Sequence, residues 1–453
     1  MATRITSIED LAGKRISVIG AGKTGIAVSL FLNKSKASVL LSDQKKKILL
    51  PPSFPRSIEK ELGRHSSRIL DSNLIIKSPG ISYAMPIIKQ ALRKGIPVWD
   101  ELTLVSTCIP PQKLIAITGT NGKTTTTSLV ASILSRAGHA TVTAGNIGVP
   151  LSSVLGRIKN AEAVVVELSS YQLESQDSFS PHVSAVLNLT PDHLARHKTM
   201  ARYRRAKQNI CINQKRNDFC ILNFEDPHCR KIARKAPGQV VFFSSRRNLK
   251  KGVWYNTHGW HYVWGTHRFS INPRWRLPGM HNIENGLAAI GCAASYGVPP
   301  YKIESGMSAF TGVEHRIESV AHIKGVAYIN DSKATNVDST LVALKAFRSP
   351  LWLIMGGEDK GSSYKPLSAL IKDRVTGIVL IGEAAAKIKK ELSGTTAIIE
   401  SHNLKNAVQY CADHARAGET VLLSPACASF DQYTNYEERG NHFKQLVSAL
   451  KSH

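Results

Sequence analysis

The sequence predicts an α/β protein of three domains, because short apolar segments that suit buried strands alternate with helical stretches along most of the chain. Three stretches carry this prediction: a glycine-rich strand-to-helix turn near the start, a strand, polar turn and helix at 113–130, and a series of strand candidates after Gly312. A chain of 453 residues is long enough for two to four domains of roughly 100–200 residues each. Breaks in the pattern near Pro110 and Gly312 give the expected domains 1–110, 111–312 and 313–453.

The first domain opens with a nucleotide-binding pattern. Residues 15–20 form a predicted strand, and Gly20, Gly22 and Gly25 give the spacing G-x-G-x-x-G at the start of a helix. The next strand ends at Asp43, near the distance at which a ribose-binding carboxylate is expected. Further strands are expected at 74–80, ending in a turn, and at 96–99. The pattern leaves three interpretations open: a nicotinamide dehydrogenase, a site for another nucleotide, or a tight turn with only a structural role.

The second domain begins with a predicted phosphate-binding turn. Residues 114–117 suit a strand that is covered on both faces, and Gly119 and Gly122 let the backbone come close to a ligand. Lys123 adds a positive charge for the phosphates, and Thr124 adds a hydroxyl at the place of a phosphate-bound Mg²⁺. The strict phosphate-loop motif would have a glycine where this chain has Ile117, so the generic pattern is only partly met. An ordinary turn with a surface lysine is the alternative.

Two later strands of this domain deliver polar side chains to the same edge of the predicted sheet. The strand at 163–168 presents Glu167 near its carboxyl end, and the strand at 183–189 is followed by Thr190, Asp192 and His193. A carboxylate and an imidazole there suggest Mg²⁺ coordination completed by phosphate oxygens and water. The alternatives are a capping or ion-pairing glutamate and a turn histidine. His193 and His197 lack the glutamate of a zinc-protease motif, so a zinc protease is not expected.

Lys207 lies in a predicted helix at 201–212, where it shares a face with Tyr203, Ile210 and Cys211. A lysine on such an apolar stripe usually extends its ammonium to solvent. If Lys207 is instead buried beside metal ions, its pKa would fall, and the neutral amine could be chemically modified.

Near the end of the second domain, the sequence pattern changes from that of buried strands and helices to that of half-covered strands. Short alternating runs at 239–271, with three tryptophans and several basic residues, predict antiparallel strands. Aromatic and basic residues together also suit single-stranded nucleic acid, although aromatic residues are common in ordinary strands. A helix is expected within 277–297, entered by a polar loop that contains His281, Asn282 and Asn285.

The third domain repeats the α/β pattern. Parallel strands are expected at 326–329, 351–355, 378–381 and 421–423, with helices between them. Polar loops follow three of these strands, at 330–336, 356–361 and 424–431. Carboxyl ends of parallel strands meet at one edge, so these loops predict a second half-site, with helix capping as the alternative.

Composition narrows the class of protein. The 59 Lys and Arg residues against 33 Asp and Glu residues give a net charge of +26, but the charge is spread over the chain without a recognition module. An affinity for anionic substrates is therefore expected rather than a nucleic-acid partner. The seven cysteines contain no Cys-x-x-Cys pair, which disfavours a disulfide framework and a cysteine zinc site. No apolar segment is long enough for a membrane helix, and the first residues lack an apolar signal-peptide core, so a cytoplasmic protein without membrane insertion is expected.

Ten motifs along the chain resemble those of the Mur ligases, in the order expected of that family. They are TGTNGKTTTT, GNIGVPL, ELSSYQLE, NLTPDH, YRRAKQNI, GMHNIENGLAA, EHRIE, INDSKATN, GGEDKG and LLSPACASFDQYTNYEERG. The resemblance covers essentially the whole chain. It implies a Rossmann-like amino-terminal domain that holds UDP, a central mononucleotide-binding ATPase domain, and a carboxyl-terminal Rossmann-like domain that brings the amino acid. It also removes the need for a nicotinamide cofactor.

The last four motifs imply the member of the family that adds D-glutamate to UDP-N-acetylmuramoyl-L-alanine, with ATP and Mg²⁺ as cofactors. The substrate carboxylate would attack the γ-phosphate to give an acyl phosphate and ADP, and the amine of D-glutamate would then displace phosphate. The resemblance also implies a monomer. A different ligase of the Mur or folylpolyglutamate type, or a nucleotide-binding module without activity, are the alternatives.

The resemblance assigns roles to residues at matching positions. Lys123, His193 and Lys207 would be catalytic, and Mg²⁺ would be held by Thr124, Glu167, His193 and carbamylated Lys207. The expected ATP contacts are Gly119, Thr120, Asn121, Gly122, Lys123, Thr124, Thr125, Asn285, Arg316 and Asp331. The UDP-linked substrate would meet Lys23, Thr24, Asp43 and Asn146. D-glutamate would meet Lys333, Thr335, Lys360, Ser429 and Tyr436. At the position of Tyr436, the familiar residue of the family is phenylalanine.

Overall fold

The amino-terminal domain is a five-stranded parallel sheet with helices on both faces. The computed structural model describes residues 8–146, 149–174, 178–347 and 350–450, so Ile147 and Gly148 of the GNIGVPL motif and the first seven residues lie outside the described part. The strands run in the order β3-β2-β1-β4-β5. The strands are β1 (Arg15–Ile19), β2 (Ser38–Asp43), β3 (Glu59–Leu62), β4 (Leu74–Lys77) and β5 (Val98–Asp100), and the helices are α1 (Lys23–Lys34), α2 (Pro86–Arg93) and α3 (Glu101–Ser106).

The central strands of this sheet are mainly apolar because each face is covered. Val18 of β1 packs with Val28 and Leu32 of α1, whereas Ile19 lies on the opposite face with Ile88 of α2. The strand order reverses between β1, which leads into the glycine-rich turn, and β4, which leads into Ser78, whose hydroxyl donates to the carbonyl of Gly20 at 2.9 Å. In open parallel sheets this switch point is where ligands bind.

The central domain is a nine-stranded sheet in the order β14-β13-β12-β11-β10-β9-β6-β8-β7. Its strands are β6 (Leu114–Thr118), β7 (Thr141–Gly145), β8 (Ala163–Glu167), β9 (Val183–Val186), β10 (Phe219–Asn223), β11 (Gln239–Ser244), β12 (Gly252–Asn256), β13 (Gly259–Trp264) and β14 (His267–Ile271). Its helices are α4 (Lys123–Ala137), α5 (Leu155–Ile158), α6 (Leu194–His197), α7 (Met200–Gln208), α8 (Pro227–Ala233), α9 (Met280–Ser295) and α10 (Pro300–Ala309).

Two predictions for this domain need correction. The strands at 239–271 are not all antiparallel: β11 pairs in parallel with β10 and β12, and only β12, β13 and β14 pair antiparallel. His281, Asn282 and Asn285 do not form an entry loop, because α9 already begins at Met280. Asn282 and Asn285 are buried, and their amides bond to each other at 3.1 Å, which satisfies polar side chains in the first turns of a buried helix.

The carboxyl-terminal domain is a six-stranded sheet in the order β15-β16-β20-β17-β18-β19, parallel except for the edge strand β15. Its strands are β15 (Glu318–Ile323), β16 (Val326–Asn330), β17 (Leu351–Gly356), β18 (Val375–Ile381), β19 (Ala397–His402) and β20 (Thr420–Leu423). Its helices are α11 (Val337–Ala346), α12 (Ser368–Arg374), α13 (Ala385–Glu391), α14 (Leu404–His414) and α15 (Tyr436–Ala449). The four predicted strands are present and run parallel to one another, and β16 also pairs antiparallel with the edge strand β15.

The predicted fold class, α/β with three domains, is confirmed by three separate sheets. The chain forms two compact units, one of Met1–Trp275 with His281–Phe310 and one of Arg276–Met280 with Thr311–His453. The exact domain boundaries at 110 and 312 stay a prediction.

All seven cysteines lie in the described residues as free thiols, and six of them are buried. Among the described residues, no helix is long and apolar enough to cross a membrane.

Candidate functional site

The turn between β6 and α4 is held in a fixed shape by Asn188, two residues after the end of β9. The backbone N–H of Thr120 donates to the carbonyl of Asn188 at 2.9 Å, and the N–H of Asn121 donates to Asn188 Oδ1 at 2.8 Å. Asn188 Nδ2 donates back to the carbonyl of Asn121 at 3.1 Å. Gly122, at the N-cap of α4, has a φ of 84°, which favours glycine, and no side chain caps the helix. The first N–H groups of α4 are thus arranged to receive an anion.

The side chain of Lys123 folds back over this turn. Its Nζ donates to the carbonyls of Gly119 at 2.9 Å and Thr120 at 2.7 Å. Thr124 and Thr125 follow it, both buried in the first turn of α4. The lysine charge therefore lies over the turn whose amides are predicted to hold phosphate.

Asn285 is the contact through which α9 reaches this turn. A Cβ atom added at Gly122 would lie 2.1 Å from Asn285 Oδ1, so the amide occupies the space that the glycine leaves. Thr126 of α4 donates its hydroxyl to the same oxygen at 3.4 Å. The predicted ATP residues of the central domain thus lie together.

Glu167 lies at the carboxyl end of β8 and is 1% exposed. Its Oε1 accepts a hydrogen bond from Asn146 Nδ2 at 3.1 Å. Its Oε2 is buried without a hydrogen-bond partner among the described residues. A buried carboxylate oxygen without a donor is costly unless a cation or a proton meets it, so Glu167 fits the predicted Mg²⁺. No cluster of three His, Cys, Asp or Glu residues suited to a metal occurs in the described ranges, which leaves further ligands to other groups.

His193 begins α6 in the left-handed conformation, with a φ of 53°. Its Nδ1 lies 3.1 Å from the hydroxyl of Tyr171, and its Nε2 lies 3.4 Å from Asp192 Oδ2. Its side chain is 45% exposed. The imidazole therefore stands at the surface of the site, where Tyr171 and Asp192 set its orientation.

Lys207 is buried on α7 and does not extend to solvent. Its Nζ donates to Thr118 Oγ1 at 3.1 Å and to the carbonyl of Gly119 at 2.8 Å, and it lies 5.0 Å from the ring centroid of Tyr203. Burial, and next the positive charge of Lys123, hold the pKa of Lys207 well below its usual range. Tyr203 lies beside Lys207 on α7 as predicted, but α7 ends at Gln208, so Ile210 and Cys211 are not part of the helix as the predicted range 201–212 implied.

The four residues predicted for the UDP-linked substrate are not gathered in one cavity. Asp43 uses its carboxylate locally: Oδ2 accepts from the N–H of Ala21 at 2.6 Å, and Oδ1 accepts from the N–H of Lys45 at 2.8 Å. Lys23 lines a largely apolar cavity of about 1020 Å³ between α1, residues 49–52 and residues 149–157, and Thr24, Asp43 and Asn146 do not line it. Asp43 therefore shapes the glycine-rich turn, and its predicted ribose contact stays a prediction.

In the carboxyl-terminal unit, the predicted nucleotide residue Asp331 follows β16. Its Oδ2 accepts from the hydroxyl of Ser424 at 2.8 Å, and its Oδ1 accepts from the N–H of Ile317 at 3.2 Å. Burial raises the pKa of Asp331 to about 7, and the nearby guanidinium of Arg316 opposes that rise.

The residues predicted for D-glutamate are only partly brought together. Lys333 Nζ lies 5.6 Å from the ring centroid of Tyr436, and Ser429 is buried. Thr335 follows Lys333 in the same loop, with its N–H bonded to the carbonyl of Lys333 at 2.8 Å. Lys360 is exposed in the loop after β17.

Arg439 is a residue that sequence reasoning missed. It is 1% exposed on α15, and its guanidinium donates to Ser332 Oγ at 3.0 Å, to the carbonyl of Ser332 at 2.9 Å and to the carbonyl of Ala428 at 3.1 Å. It thereby ties the loop after β16 to the loop after β20. Its position three residues after Tyr436, and four before buried Phe443, is the helical spacing that could have indicated a buried arginine.

Comparisons with known proteins agree with the layout. The chain matches the MurD-like N-terminal domain of Mur ligases at 14–100, the Mur ligase middle domain at 117–293 and the Mur ligase glutamate ligase domain at 315–427. The UDP-N-acetylmuramoylalanine--D-glutamate ligase of Koribacter versatilis is 43% identical over 97% of this chain and 98% of its own. The ligase of the same name from Elusimicrobium minutum is 40% identical over 97% and 98%, respectively.

The fold is shared more widely. The solved structure of MurF from Acinetobacter baumannii superposes with a TM-score of 0.60 at 17% identity, over 97% of this chain and 93% of its own. At that identity the likeness concerns the fold alone. The three domain matches, and the identity of 40% or more to curated relatives over 97% of the chain, show that the chain belongs to the MurD-like branch of the Mur ligase family.

Proposed function

We propose that this chain is an ATP-dependent ligase that joins D-glutamate to UDP-N-acetylmuramoyl-L-alanine, a step in the synthesis of peptidoglycan precursors. The observation that carries the proposal is the convergence of two lysines on one carbonyl: Lys123 Nζ and Lys207 Nζ lie 2.9 and 2.8 Å from the oxygen of Gly119. This turn carries concentrated positive charge and uncapped helix amides, as phosphoryl transfer requires. The names of relatives with 43% and 40% identity support the choice of D-glutamate as the amino acid.

The first chemical step brings two anions together. An oxygen of the L-alanine carboxylate forms a bond to the γ-phosphorus of ATP, the bond from that phosphorus to the β-bridging oxygen breaks, and ADP leaves. Lys123 and the first amides of α4 neutralise the phosphate charge, which lowers the barrier where charge accumulates. The amine of D-glutamate then attacks the acyl carbon, loses a proton and displaces phosphate.

Mg²⁺, when bound, supplies further neutralisation of the phosphate oxygens. Thr124, Glu167, His193 and a carbamylated Lys207 are the residues that would hold it. Glu167 supports this assignment because one of its buried oxygens has no donor among the described residues. Tyr171 and Asp192 would keep the His193 ring oriented toward the ligand.

Lys207 fits a role as a carbamylated residue. A low pKa gives a neutral amine, whose lone pair can form a bond to CO₂ with release of one proton. The product carries a negative charge beside Lys123 in place of a neutral amine. Modification would therefore create an attraction to Lys123 and supply an additional oxygen ligand.

The remaining contacts are assigned to the other predicted residues. We assign ATP to Asn285, Arg316 and Asp331 in addition to the phosphate turn, and D-glutamate to the loops that hold Lys333, Thr335, Lys360, Ser429 and Tyr436. The uridine end of the substrate is assigned to the amino-terminal switch point, with Lys23, Thr24, Asp43 and Asn146. A monomer in the cytoplasm without a nucleic-acid partner is part of the proposal.

An isotope experiment tests the reaction together with its route. UDP-N-acetylmuramoyl-L-alanine labelled with ¹⁸O in the alanine carboxylate is incubated with ATP, Mg²⁺ and a panel of amino acids. We expect a ligated product with D-glutamate alone, and transfer of one ¹⁸O to the released phosphate. A product with another amino acid would replace the substrate assignment, and unlabelled phosphate would exclude the acyl phosphate.

A further inference from the structure

A buried lysine of the amino-terminal domain has no role in the chemistry described above. Lys77, the last residue of β4, is 1% exposed. Its Nζ has no hydrogen-bond partner among the described residues and lies 4.4 Å from the ring centroid of Tyr83. An ammonium group in such a place is expensive, because no acceptor among the described residues satisfies its three donors. A structural role does not account for it, since a packed apolar side chain would avoid that cost.

Lys77 lies beside the glycine-rich turn of its own domain, and charged residues of the central domain also act on it. On one side, β4 pairs with β1 at Ile19, and Ser78, the next residue, bonds the carbonyl of Gly20 in the glycine-rich turn at 2.9 Å. On the other side, the charges that act on Lys77 include Glu174 and Arg196 of the central domain. Asp100, its partner across β4 and β5, is the nearest source of negative charge on its own sheet.

The two central-domain residues whose charges act on Lys77 belong to a group of side chains that reaches His193. Glu174 is bonded to Arg196 at both oxygens, at 2.9 and 2.8 Å. The guanidinium of Arg196 lies 5.7 Å from the ring centroid of Tyr171, and the hydroxyl of Tyr171 lies 3.1 Å from His193 Nδ1. Lys77 lies opposite Ile19 of β1, next to the switch point that is assigned to uridine.

The proposed substrate has one strongly anionic group between its uridine and its sugar and peptide, namely the diphosphate. We propose that Lys77 is a binding residue for this diphosphate, an inference that rests on the proposed function for the identity of the ligand. On binding, the ring of Tyr83 turns aside, and Nζ exchanges its contact with the ring for charge-assisted hydrogen bonds to phosphate oxygens. The unpartnered ammonium is therefore a preformed anion contact that the ligand completes.

Binding of UDP and of uridine to the full chain tests this proposal, because the two ligands differ by the diphosphate. Calorimetric titration compares the wild type with Lys77→Met, with Lys77→Gln as a second variant, and with Lys89→Met as a matched control on an exposed lysine of α2. We expect the Lys77 variants to lose about tenfold or more in affinity for UDP, as for a lost hydrogen bond to a charged group, and to bind uridine as the wild type does. The control should bind both ligands normally.

The thermal stability of the unliganded protein supplies a second readout. The Lys77→Met protein should unfold at the wild-type temperature or higher, because the ammonium that it removes makes no hydrogen bond in the free protein. Unchanged UDP affinity in both Lys77 variants, or an equal loss for UDP and uridine, would overturn the proposal. This assay needs no turnover, so a chain that binds UDP through Lys77 but forms no D-glutamate product would refute the proposed function alone.

Discussion

At the scale of single residues, the phosphate turn brings two lysine side chains together. Lys123 and Lys207 both donate to the carbonyl of Gly119, and Lys123 lowers the pKa of Lys207. Two ammonium groups on one carbonyl oxygen repel each other unless one is neutral or a ligand separates them. The free site is therefore prepared for phosphate, and each lysine is expected to change its contacts when phosphate binds.

The replacement Lys123→Ala tests the assignment of the phosphate turn. Removal of one preorganised charge at a developing anion costs roughly 10²–10³ in rate, and we expect at least that loss in the rate of ADP formation. Lys159→Ala, on an exposed lysine of the same domain, is the control and should turn over normally. Near-wild-type turnover of Lys123→Ala would refute the assignment.

The buried carboxyl of Asp331 predicts a pH dependence of stability. Its pKa is raised from 3.8 to about 7 in the folded chain. Between these values the folded state keeps a proton that the unfolded state has lost, so this group makes folding less favourable as pH rises, and the loss is complete above about pH 7.

Asp331→Asn removes that titration. We expect the free energy of unfolding of the wild type, measured by urea denaturation relative to the variant, to fall by a few kcal/mol as pH rises through this window. Asp373→Asn, at a 68% exposed side chain of the same unit, is the control. A difference between wild type and Asp331→Asn that stays constant with pH would contradict the raised pKa.

At the scale of elements, strands with long apolar runs were predictable and those without them were not. β1, β6, β8 and β17 are buried along most or all of their length, so their sequences are mainly apolar. By contrast, β3 has the sequence EKEL and is an edge strand, three of whose four residues are not buried. Its pairing with β2 stabilises it more than its own composition does.

The pairing direction of the strands at 239–271 could not be predicted from the sequence either. Alternation at 239–271 indicates half-covered strands, but it does not say which neighbour a strand has. β11 lies next to β10, which it joins through α8, and such a crossover connection produces a parallel pair. Only the short turns between β12, β13 and β14 impose antiparallel pairing.

Within the candidate site, the motifs identified residues that lie on loops and at the starts of helices. They missed Lys77 and Arg439, whose significance depends on burial that a sequence does not state. A lysine at the end of a strand and an arginine on a helix are ordinary surface residues in most proteins. What distinguishes them is that Lys77 Nζ has no hydrogen-bond partner among the described residues, and that Arg439 bonds two loops through three contacts.

The two glycine caps of α4 provide a test at this scale. Gly122 and Gly138 have φ values of 84° and 104°, but only at Gly122 would a Cβ meet a neighbour, 2.1 Å from Asn285 Oδ1. Gly138→Ala should cost about 1 kcal/mol of stability from backbone strain, with ATP affinity unchanged. Gly122→Ala should also lose about tenfold or more in ATP affinity, because Asn285 and the turn must move. Equal ATP affinities in a calorimetric titration of the two variants would contradict this role of Gly122.

At the scale of the whole molecule, the predicted residues are distributed over both compact units. The phosphate turn, Glu167, Lys207 and Asn285 belong to the first unit, whereas Arg316, Asp331 and the loops predicted for D-glutamate belong to the second. Turnover under the proposed function therefore needs both units, and a water-sensitive acyl phosphate makes closure of the carboxyl-terminal domain the expected gating step. The net charge of +26 is compatible with substrates that carry phosphates and carboxylates.

The most direct test of the central claim is the release of ADP by the purified chain with ATP, Mg²⁺ and UDP-N-acetylmuramoyl-L-alanine. The reaction is compared with D-glutamate, with L-glutamate and without an amino acid. We predict that sustained release of ADP depends on D-glutamate and matches the amount of ligated product. Folded protein that binds ATP but releases no more ADP with D-glutamate than without an amino acid would contradict the proposed ligase activity.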